Sequence, residues 1–139
     1  MQLTSVTYTS LARLDLQTAD LEDIHRTARD RNARDRITGL LVFNGMHFLQ
    51  IIEGAESAID ELVERLRDDP RHTGFEIRDQ RKIEARSFPD WSMELLRVNA
   101  SYFQARDTIA DRLPDTVPEA IQARLFRMTE LISRLEFPS

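Results

Sequence analysis

Two β-rich runs flank Asn44-Gly45 between residues 37 and 54, and this hairpin constrains the fold more than any other stretch. Asn-Gly is a strong hairpin signal, because a two-residue type I′ turn needs positive φ at both central residues. Such a turn fixes the register and predicts that Gln50 lies opposite Gly39. The positions that share this face are apolar except Gln50: Ile37, Gly39, Leu41, Phe43, Met46, Phe48, Gln50 and Ile52. The Gln50 amide therefore needs partners, since burying it without them costs about 1–3 kcal/mol.

The composition excludes several classes of protein. With 139 residues the chain can bury the core of one domain. Its net charge is −5 and its basic residues are mixed with acidic ones, which argues against a nucleic-acid partner. It contains neither a bilayer-spanning apolar run nor a signal-peptide pattern, so we expect a cytoplasmic protein with no membrane partner. Cysteine is absent, which excludes disulfides, thiolate nucleophiles and cysteine metal sites.

Polar residues also interrupt the elements on either side of the hairpin. A strand over residues 3–10 places Tyr8 and Ser10 on one face. A helix over residues 20–33 carries an apolar stripe that continues, one turn later, to Asn32. Asn32 either ends that helix as a C-cap or faces a ligand from the buried side.

A second helix follows Gly54, and its spacing lets it cover the sheet. Arg65 and Asp69, four residues apart, lie on one flank of its apolar stripe. They form either a solvated ion pair or two contacts to a ligand beside that flank. A strand over residues 75–83 and a last strand over residues 91–98 follow, and the last strand places Trp91 and Met93 on one face.

The order β-α-β-β-α-β-β predicts an α+β fold of the ferredoxin-like type. The first strand then lies beside the third, so Tyr8 becomes a neighbour of Gln50. Both helices pack on one face of the sheet, and the cleft between them opens onto Gln50.

The other face of the hairpin is apolar and needs a cover. The candidate is the tail, with a helix over residues 103–113 and another that begins at Pro118. Its apolar residues recur at a four-three spacing, a seam that packs either on the sheet or on a second subunit. We therefore predict a domain over residues 1–99, a helical appendage over residues 100–139, and a homo-oligomer of two or more subunits.

An ordered set of motifs resembles the BLUF family of flavin-binding blue-light sensors. The resemblance covers roughly residues 2–99, and the tail has the layout of short BLUF proteins that carry two helices and no effector enzyme. The motifs are Tyr8 with Ser10, Asn32, Ile37-Thr38-Gly39-Leu40-Leu41, Phe48-Leu49-Gln50, Glu53-Gly54, Asp69-x-Arg71-His72 and Phe88-Pro89-x-Trp91-Ser92-Met93.

The resemblance implies that a flavin ring lies between the two helices. Asn32 would hydrogen-bond its pyrimidine edge, with Arg65 and Asp69 as further polar contacts and His72 as a loop group at the cofactor's edge. This family often carries Asn, His or Lys where this chain has Arg31, and Arg31 would contact either the phosphate side of the flavin or solvent.

The resemblance also implies the photochemical residues. Gln50 would face the N5 and C4-carbonyl edge of the flavin, and Tyr8 would hydrogen-bond Gln50. Light-driven electron and proton transfer from Tyr8 would rearrange the Gln50 hydrogen bonds. Ser10, Trp91 and Met93 would then pass the change to the last strand and the tail.

The resemblance favours FAD as the cofactor, although a pocket that holds mainly the ring also accepts FMN. It implies a photoreceptor with a downstream protein partner and no enzymatic activity of its own. The absence of cysteine excludes the other common small flavin photosensor, which needs a thiol.

Two alternatives stay open. One is a light-independent ferredoxin-like module that binds a ligand or oligomerises, since this fold hosts many functions. The other is a small flavin-dependent enzyme. Against an enzyme, His25, His47 and His72 lack metal-ligand spacing, and no phosphate loop or nucleophile–base signature appears. His25 is expected on the surface of the first helix.

Overall fold

The computed structural model describes residues 2–12, 16–70, 72–98 and 101–134. Their elements follow the predicted order β-α-β-β-α-β-β and then add two helices, which makes the chain α+β as predicted. The bounds are β1 Leu3–Ala12, α1 Thr18–Asp35, β2 Thr38–Phe43, β3 His47–Ala55, α2 Glu56–Arg67, β4 His72–Ile83, β5 Glu94–Arg97, α3 Tyr102–Arg112 and α4 Glu119–Arg134. Among these residues, no helix combines the length and the apolar character that a bilayer span requires.

The five strands form one sheet in the order β4-β1-β3-β2-β5. β1 lies between β4 and β3 and is antiparallel to both, whereas β5 runs parallel to β2. This order confirms that the first strand lies beside the third, as the ferredoxin-like topology predicted. Tyr8 consequently lies directly opposite Gln50 across the pair of central strands.

The predicted register of the β2–β3 hairpin is wrong by two residues. Gln50 pairs with Leu41, and Gly39 pairs with Ile52 rather than with Gln50. Because the shift is even, every side chain keeps its predicted face. Gly39 is required for another reason, since a Cβ at its φ of +155° would lie 1.9 Å from the carbonyl oxygen of Ile51.

The Asn44 side chain explains the different register. Its Oδ1 accepts hydrogen bonds from the backbone N–H groups of Met46 at 3.1 Å and His47 at 2.7 Å. The turn is therefore closed by a side chain, and its centre moves from Asn44-Gly45 to Gly45-Met46. Gly45 takes a positive φ of 95°, whereas Asn44 does not. A type I′ turn at Asn44-Gly45 would need positive φ at both residues.

Helices α1 and α2 cover one face of the sheet, here called the near face. Their fully or largely buried residues Leu21, Ile59, Leu62 and Val63 pack with side chains of the central strands. Burying each large aliphatic side chain contributes about 1.5–3 kcal/mol. The sheet residues of this cluster are Val6, Ala12, Leu41, Phe48 and Ile52, joined by Ile37 and Met93.

Helices α3 and α4 cover the opposite face, here called the far face. Ile109, Leu125 and Ile132 are fully buried there. They pack against the apolar residues whose cover was predicted, namely Leu40, Val42, Leu49 and Ile51. The tail therefore packs on the sheet of its own chain, which is one of the two positions that its sequence allowed.

A buried glutamate ties the connector before β5 to the central strand. Glu53 is 2% exposed, and its carboxylate accepts hydrogen bonds from the backbone N–H groups of Ser87 and Phe88, each at 2.9 Å. Burial raises the pKa of Glu53, while these two donors and nearby Arg86 oppose the rise. Arg86 also donates to the backbone carbonyl of Glu53 at 2.9 Å and to that of Arg36 at 2.7 Å. These bonds fix the start of the segment that leads to Trp91 and Met93.

We expect Glu53→Gln to destabilise the fold. The amide offers one acceptor in place of two and turns its NH₂ group toward a backbone N–H, which leaves a buried donor unpaired at a cost of about 1–3 kcal/mol. Urea unfolding at neutral pH measures this loss. Glu84→Gln, an exposed change in the same strand-and-connector region, is the control and should leave the unfolding midpoint unchanged. Equal midpoints for both variants would contradict a role of Glu53 in tying the connector.

Candidate functional site

A cavity of about 440 Å³ lies on the near face between α1 and α2. Its size falls within the range of small-molecule sites. The wall is mostly apolar, and polar groups enter it from both helices and from β1 and β3. The lining residues are Tyr8, Ile24, Thr27, Ala28, Arg31, Asn32, Leu41, Phe48, Gln50, Leu62, Arg65, Leu66, Asp69 and Pro70.

Tyr8 and Gln50 meet at the floor of this cavity. The Tyr8 hydroxyl donates a hydrogen bond to Gln50 Oε1, and both side chains are buried, at 3% and 4% exposure. The Tyr8 ring also contacts the Phe75 ring of β4, with centroids 4.4 Å apart. The aromatic ring is thereby held from both neighbouring strands, and its hydroxyl points at the Gln50 amide.

The protonation state of Tyr8 follows from its surroundings. Burial raises the pKa of the phenol well above its ordinary value, and the negative charge of Asp69 adds to the rise. The phenol is therefore neutral at physiological pH and acts as a hydrogen-bond donor.

The other end of the Gln50 amide faces Met93. Gln50 Nε2 donates to the Met93 Sδ at 3.1 Å, and Met93 is 2% exposed within the near-face cluster. Tyr8, Gln50 and Met93 thus form one hydrogen-bonded series. Ser10, two residues after Tyr8, is buried on the same strand opposite Phe48.

The prediction that Trp91 shares a face with Met93 is wrong. β5 begins at Glu94, and the residues before it form bends, so strand alternation does not hold there. The Trp91 ring packs with Phe88 in the far-face cluster, with centroids 5.5 Å apart. Its carbonyl accepts from Gly39 N–H at 2.8 Å, which anchors the backbone to β2 while the ring points away. Met93 is therefore the residue of the pair that contacts Gln50.

Asn32 has the environment of a ligand-binding residue. It is 1% exposed and lines the cavity, and neither its Oδ1 nor its Nδ2 has a hydrogen-bond partner among the described residues. The helix continues past it to Asp35, with Arg36 as the C-cap in the left-handed region, so Asn32 does not end the helix. An amide left in this position favours a ligand that supplies both a donor and an acceptor.

The predicted charged residues lie around the cavity, but one of them is not on a helix. Helix α2 ends at Arg67, so the prediction that Asp69 lies on its flank is wrong, and Asp69 lies in the turn that follows. Arg31, Arg65 and Asp69 all line the cavity, and Arg31 is exposed. The Arg65 guanidinium lies 3.7 Å from Asp35 and 3.5 Å from Glu61, so it forms ion pairs with these two carboxylates. His72 is the first residue of β4, and its side chain lies outside the part of the chain that the structure describes.

One residue that the structure brings to the site was expected on the helix surface. The His25 Nε2 lies 2.8 Å from the backbone carbonyl oxygen of Met93. A signal existed in the sequence, because His25 is four residues after Leu21 and one after Ile24 and therefore belongs to the apolar stripe of α1. The carbonyl that it contacts leaves no trace in residue type, so its partner could not be predicted.

The site has the chemistry of a pocket for a flat heterocycle. Apolar side chains from both helices can enclose a ring, and Asn32 and Gln50 offer amides that both donate and accept. No cluster of three or more His, Asp and Glu side chains able to hold a metal ion occurs within the described ranges. The unpartnered Asn32 amide and the apolar walls fit the flavin that the sequence resemblance implied, since a flavin carries donors and acceptors on one edge of an apolar ring system.

Comparison with known sequences agrees with the site. A family model of BLUF domains, described as sensors of blue-light using FAD, matches residues 3–94. The photoactivated adenylate cyclase subunit beta of Euglena gracilis is 41% identical over 93 residues, which are 66% of this chain and 11% of that subunit. The blue light- and temperature-regulated antirepressor BluF of Escherichia coli K12 is 37% identical over 70 residues, 50% of this chain and 17% of that protein. The chain thus matches a small part of the length of these curated relatives.

Solved structures share the whole fold. The dark-state structure of BlrB, a BLUF protein, is 38% identical, with a TM-score of 0.72 over 94% of this chain and 97% of BlrB. The BLUF structure of BlrP1 is 28% identical, with a TM-score of 0.82 over 100% of this chain and 97% of that one. This chain therefore belongs to the BLUF family, whose members are flavin-based sensors of blue light.

Proposed function

We propose that this chain senses blue light with a noncovalently bound FAD in the near-face cavity. The observation that carries the proposal is the buried series Tyr8–Gln50–Met93, whose first two members line the cavity. It joins a phenol that can release an electron and a proton to an amide that can exchange its donor and acceptor ends. The role is sensory rather than enzymatic.

Asn32 and the helix flanks hold the flavin in this proposal. The Asn32 amide hydrogen-bonds the pyrimidine edge and thereby satisfies its two unpartnered atoms. Arg65 contributes a polar contact from α2, Asp69 contributes another from the turn after that helix, and His72 adds a further contact at the cofactor's edge. The exposed Arg31 guanidinium lies at the rim, where it can reach the phosphates of FAD.

Tyr8 supplies the electron. A flavin excited by blue light is a strong one-electron oxidant, and this is the chemistry that the bound group contributes. Tyr8 would pass one electron to the bound flavin and its phenolic proton, along the existing hydrogen bond, to the Gln50 amide oxygen, and both would return to Tyr8 once the amide has rearranged. The raised pKa keeps that proton on Tyr8 in the dark, so the transfer waits for light.

The Gln50 amide changes its hydrogen bonds in response. Once the Tyr8 hydroxyl no longer donates its hydrogen bond to Gln50 Oε1, rotation or tautomerisation of the amide changes which of its atoms faces the flavin. A new donor toward the C4 carbonyl stabilises the excited state more than the ground state and shifts absorption to the red. The same change releases the Gln50 Nε2 contact with Met93, which carries the rearrangement to the segment before β5.

The output passes from β5 to the tail. Arg112 of α3 donates to Glu94 of β5 at 2.8 Å, so a shift of this strand reaches the helices on the far face. Phe103 on α3 is 69% exposed, the only large hydrophobic residue of the described chain that is exposed. Residues 1–99 thus form the sensor, and residues 100–139 form the output appendage toward a second subunit or a protein partner, with Ser10 and Trp91 beside the route.

Tyr8→Phe and Gln50→Leu should each bind flavin and lose the red shift. The first removes the electron and proton donor, and the second removes the amide that rearranges. Absorption spectra of the purified yellow proteins before and after blue light measure the shift. Tyr102→Phe and Gln104→Leu are the matched controls on α3, and they should behave like the wild type.

Two results would count against this assignment. A normal, reversible red shift in Tyr8→Phe or Gln50→Leu would mean that other residues carry the photochemistry. A colourless wild type that refuses added FAD would instead support a light-independent ferredoxin-like module.

Asn32→Ala should separate flavin binding from stability. Flavin affinity should fall about 5- to 150-fold, as expected for losing hydrogen bonds worth about 1–3 kcal/mol. The flavin-free protein should keep or gain stability, because the change removes two unpartnered buried atoms. Fluorescence titration with FAD and urea unfolding of the flavin-free protein give the two values. A loss of stability with unchanged affinity would show that Asn32 serves the fold alone.

Chromatography of the pigment extracted from the purified protein should identify it as FAD.

Arg31→Gln should weaken the binding of FAD and FMN but not of riboflavin, because only the first two carry phosphate for the guanidinium to contact. Arg34→Gln, in the last turn of the same helix and outside the cavity lining, is the control. Unchanged affinity for all three flavins in Arg31→Gln would place Arg31 in solvent.

A further inference from the structure

His25 links helix α1 to the segment that carries Met93. Its Nε2 lies 2.8 Å from the Met93 carbonyl oxygen, across a sequence separation of 68 residues. His25 is half-buried, in the apolar stripe of α1. Because a carbonyl oxygen can only accept, Nε2 must carry the proton and donate this hydrogen bond.

The Met93 carbonyl lies one residue before the first residue of β5. The ladder between β2 and β5 begins at the pair Leu40–Glu94. Two hydrogen bonds hold Met93: its backbone carbonyl accepts one from His25, and its Sδ accepts one from the Gln50 amide. The two bonds lie on the backbone and the thioether of the same residue, so the first restrains the position of the second.

A second contact joins the same two elements farther along. Arg97 of β5 lies 3.9 Å from Glu22 of α1, and both side chains are half or more exposed. An exposed pair at this distance contributes little. The part-buried His25 bond is therefore the stronger tie between α1 and the strand.

We propose that His25 is a positioning residue of the light response, which holds the Met93 backbone so that its thioether stays against the Gln50 amide. This inference rests on the proposed photoreceptor function. His25 is not among the residues that line the cavity, and its hydrogen bond goes to the Met93 backbone, so it acts through Met93. It favours the arrangement in which Gln50 Nε2 faces sulfur, so its bond resists the rearranged state and draws the site back in darkness.

The first test compares recovery rates. His25→Phe keeps a ring but loses the donor, and we expect flavin content and the red shift to persist while dark recovery slows about two- to tenfold, the range of one ordinary hydrogen bond. His25→Gln keeps an N–H donor on a side chain of similar reach and should recover at a rate nearer to the wild type. Arg29→Gln, exposed on the same helix, is the control.

Two further readouts distinguish positioning from general packing. The first is the infrared spectrum of the dark protein labelled with ¹³C at its methionine carbonyls. The carbonyl-stretch band of Met93 should move to higher frequency in His25→Phe, because it loses a hydrogen bond. The band that disappears in Met93→Leu is the one that belongs to Met93 among the four methionines. In the Met93→Leu background, His25→Phe should no longer slow recovery, because the thioether contact with Gln50 is gone.

The outcomes separate the two proposals. A photoactive wild type with unchanged recovery in His25→Phe would overturn the role of His25 alone. The same slowing in the Met93→Leu background, or an unshifted Met93 band, would also overturn it. A flavin-loaded wild type without any red shift would overturn the photoreceptor function and the positioning role together.

Discussion

The pairing of β1 with β3 is the interaction on which the rest of the structure depends. It places Tyr8 opposite Gln50 in the centre of the sheet, where both side chains are almost fully buried. Eight of the nine residues of β3 are buried, so the strand needs a cover on both faces. Helices α1 and α2 supply one cover and α3 and α4 the other, which places the cavity and the tail on opposite sides of the same strand.

The sequence predicted the fold well where the constraint is periodic. Alternation in β1 and β3 assigned each side chain to a face, and the ferredoxin-like order then brought Tyr8 to Gln50. The hairpin register failed because the Asn44 side chain replaces a backbone group in the turn. Residue type identifies Asn-Gly as a turn, but it does not reveal whether a side-chain or a backbone oxygen accepts the hydrogen bond that closes the turn.

A residue of the candidate site could be predicted when it is a polar residue at an otherwise apolar position of a strand or helix. Gln50 and Asn32 are amides in apolar series, and both are buried in the cavity wall. Trp91 and His25 were placed wrongly, because their positions depend on bends before β5 and on a backbone carbonyl from a distant segment.

The unpartnered Asn32 amide links the stability of the fold to the binding of a ligand. Without a ligand, its two buried atoms reduce the stability of the chain, and any molecule that satisfies them binds the folded state alone. Such a ligand stabilises the fold by mass action, by about 2.7 kcal/mol at a hundredfold excess over its dissociation constant. A flavin that binds there would then raise the fraction of chains that stay folded and resist proteolysis, before any light arrives.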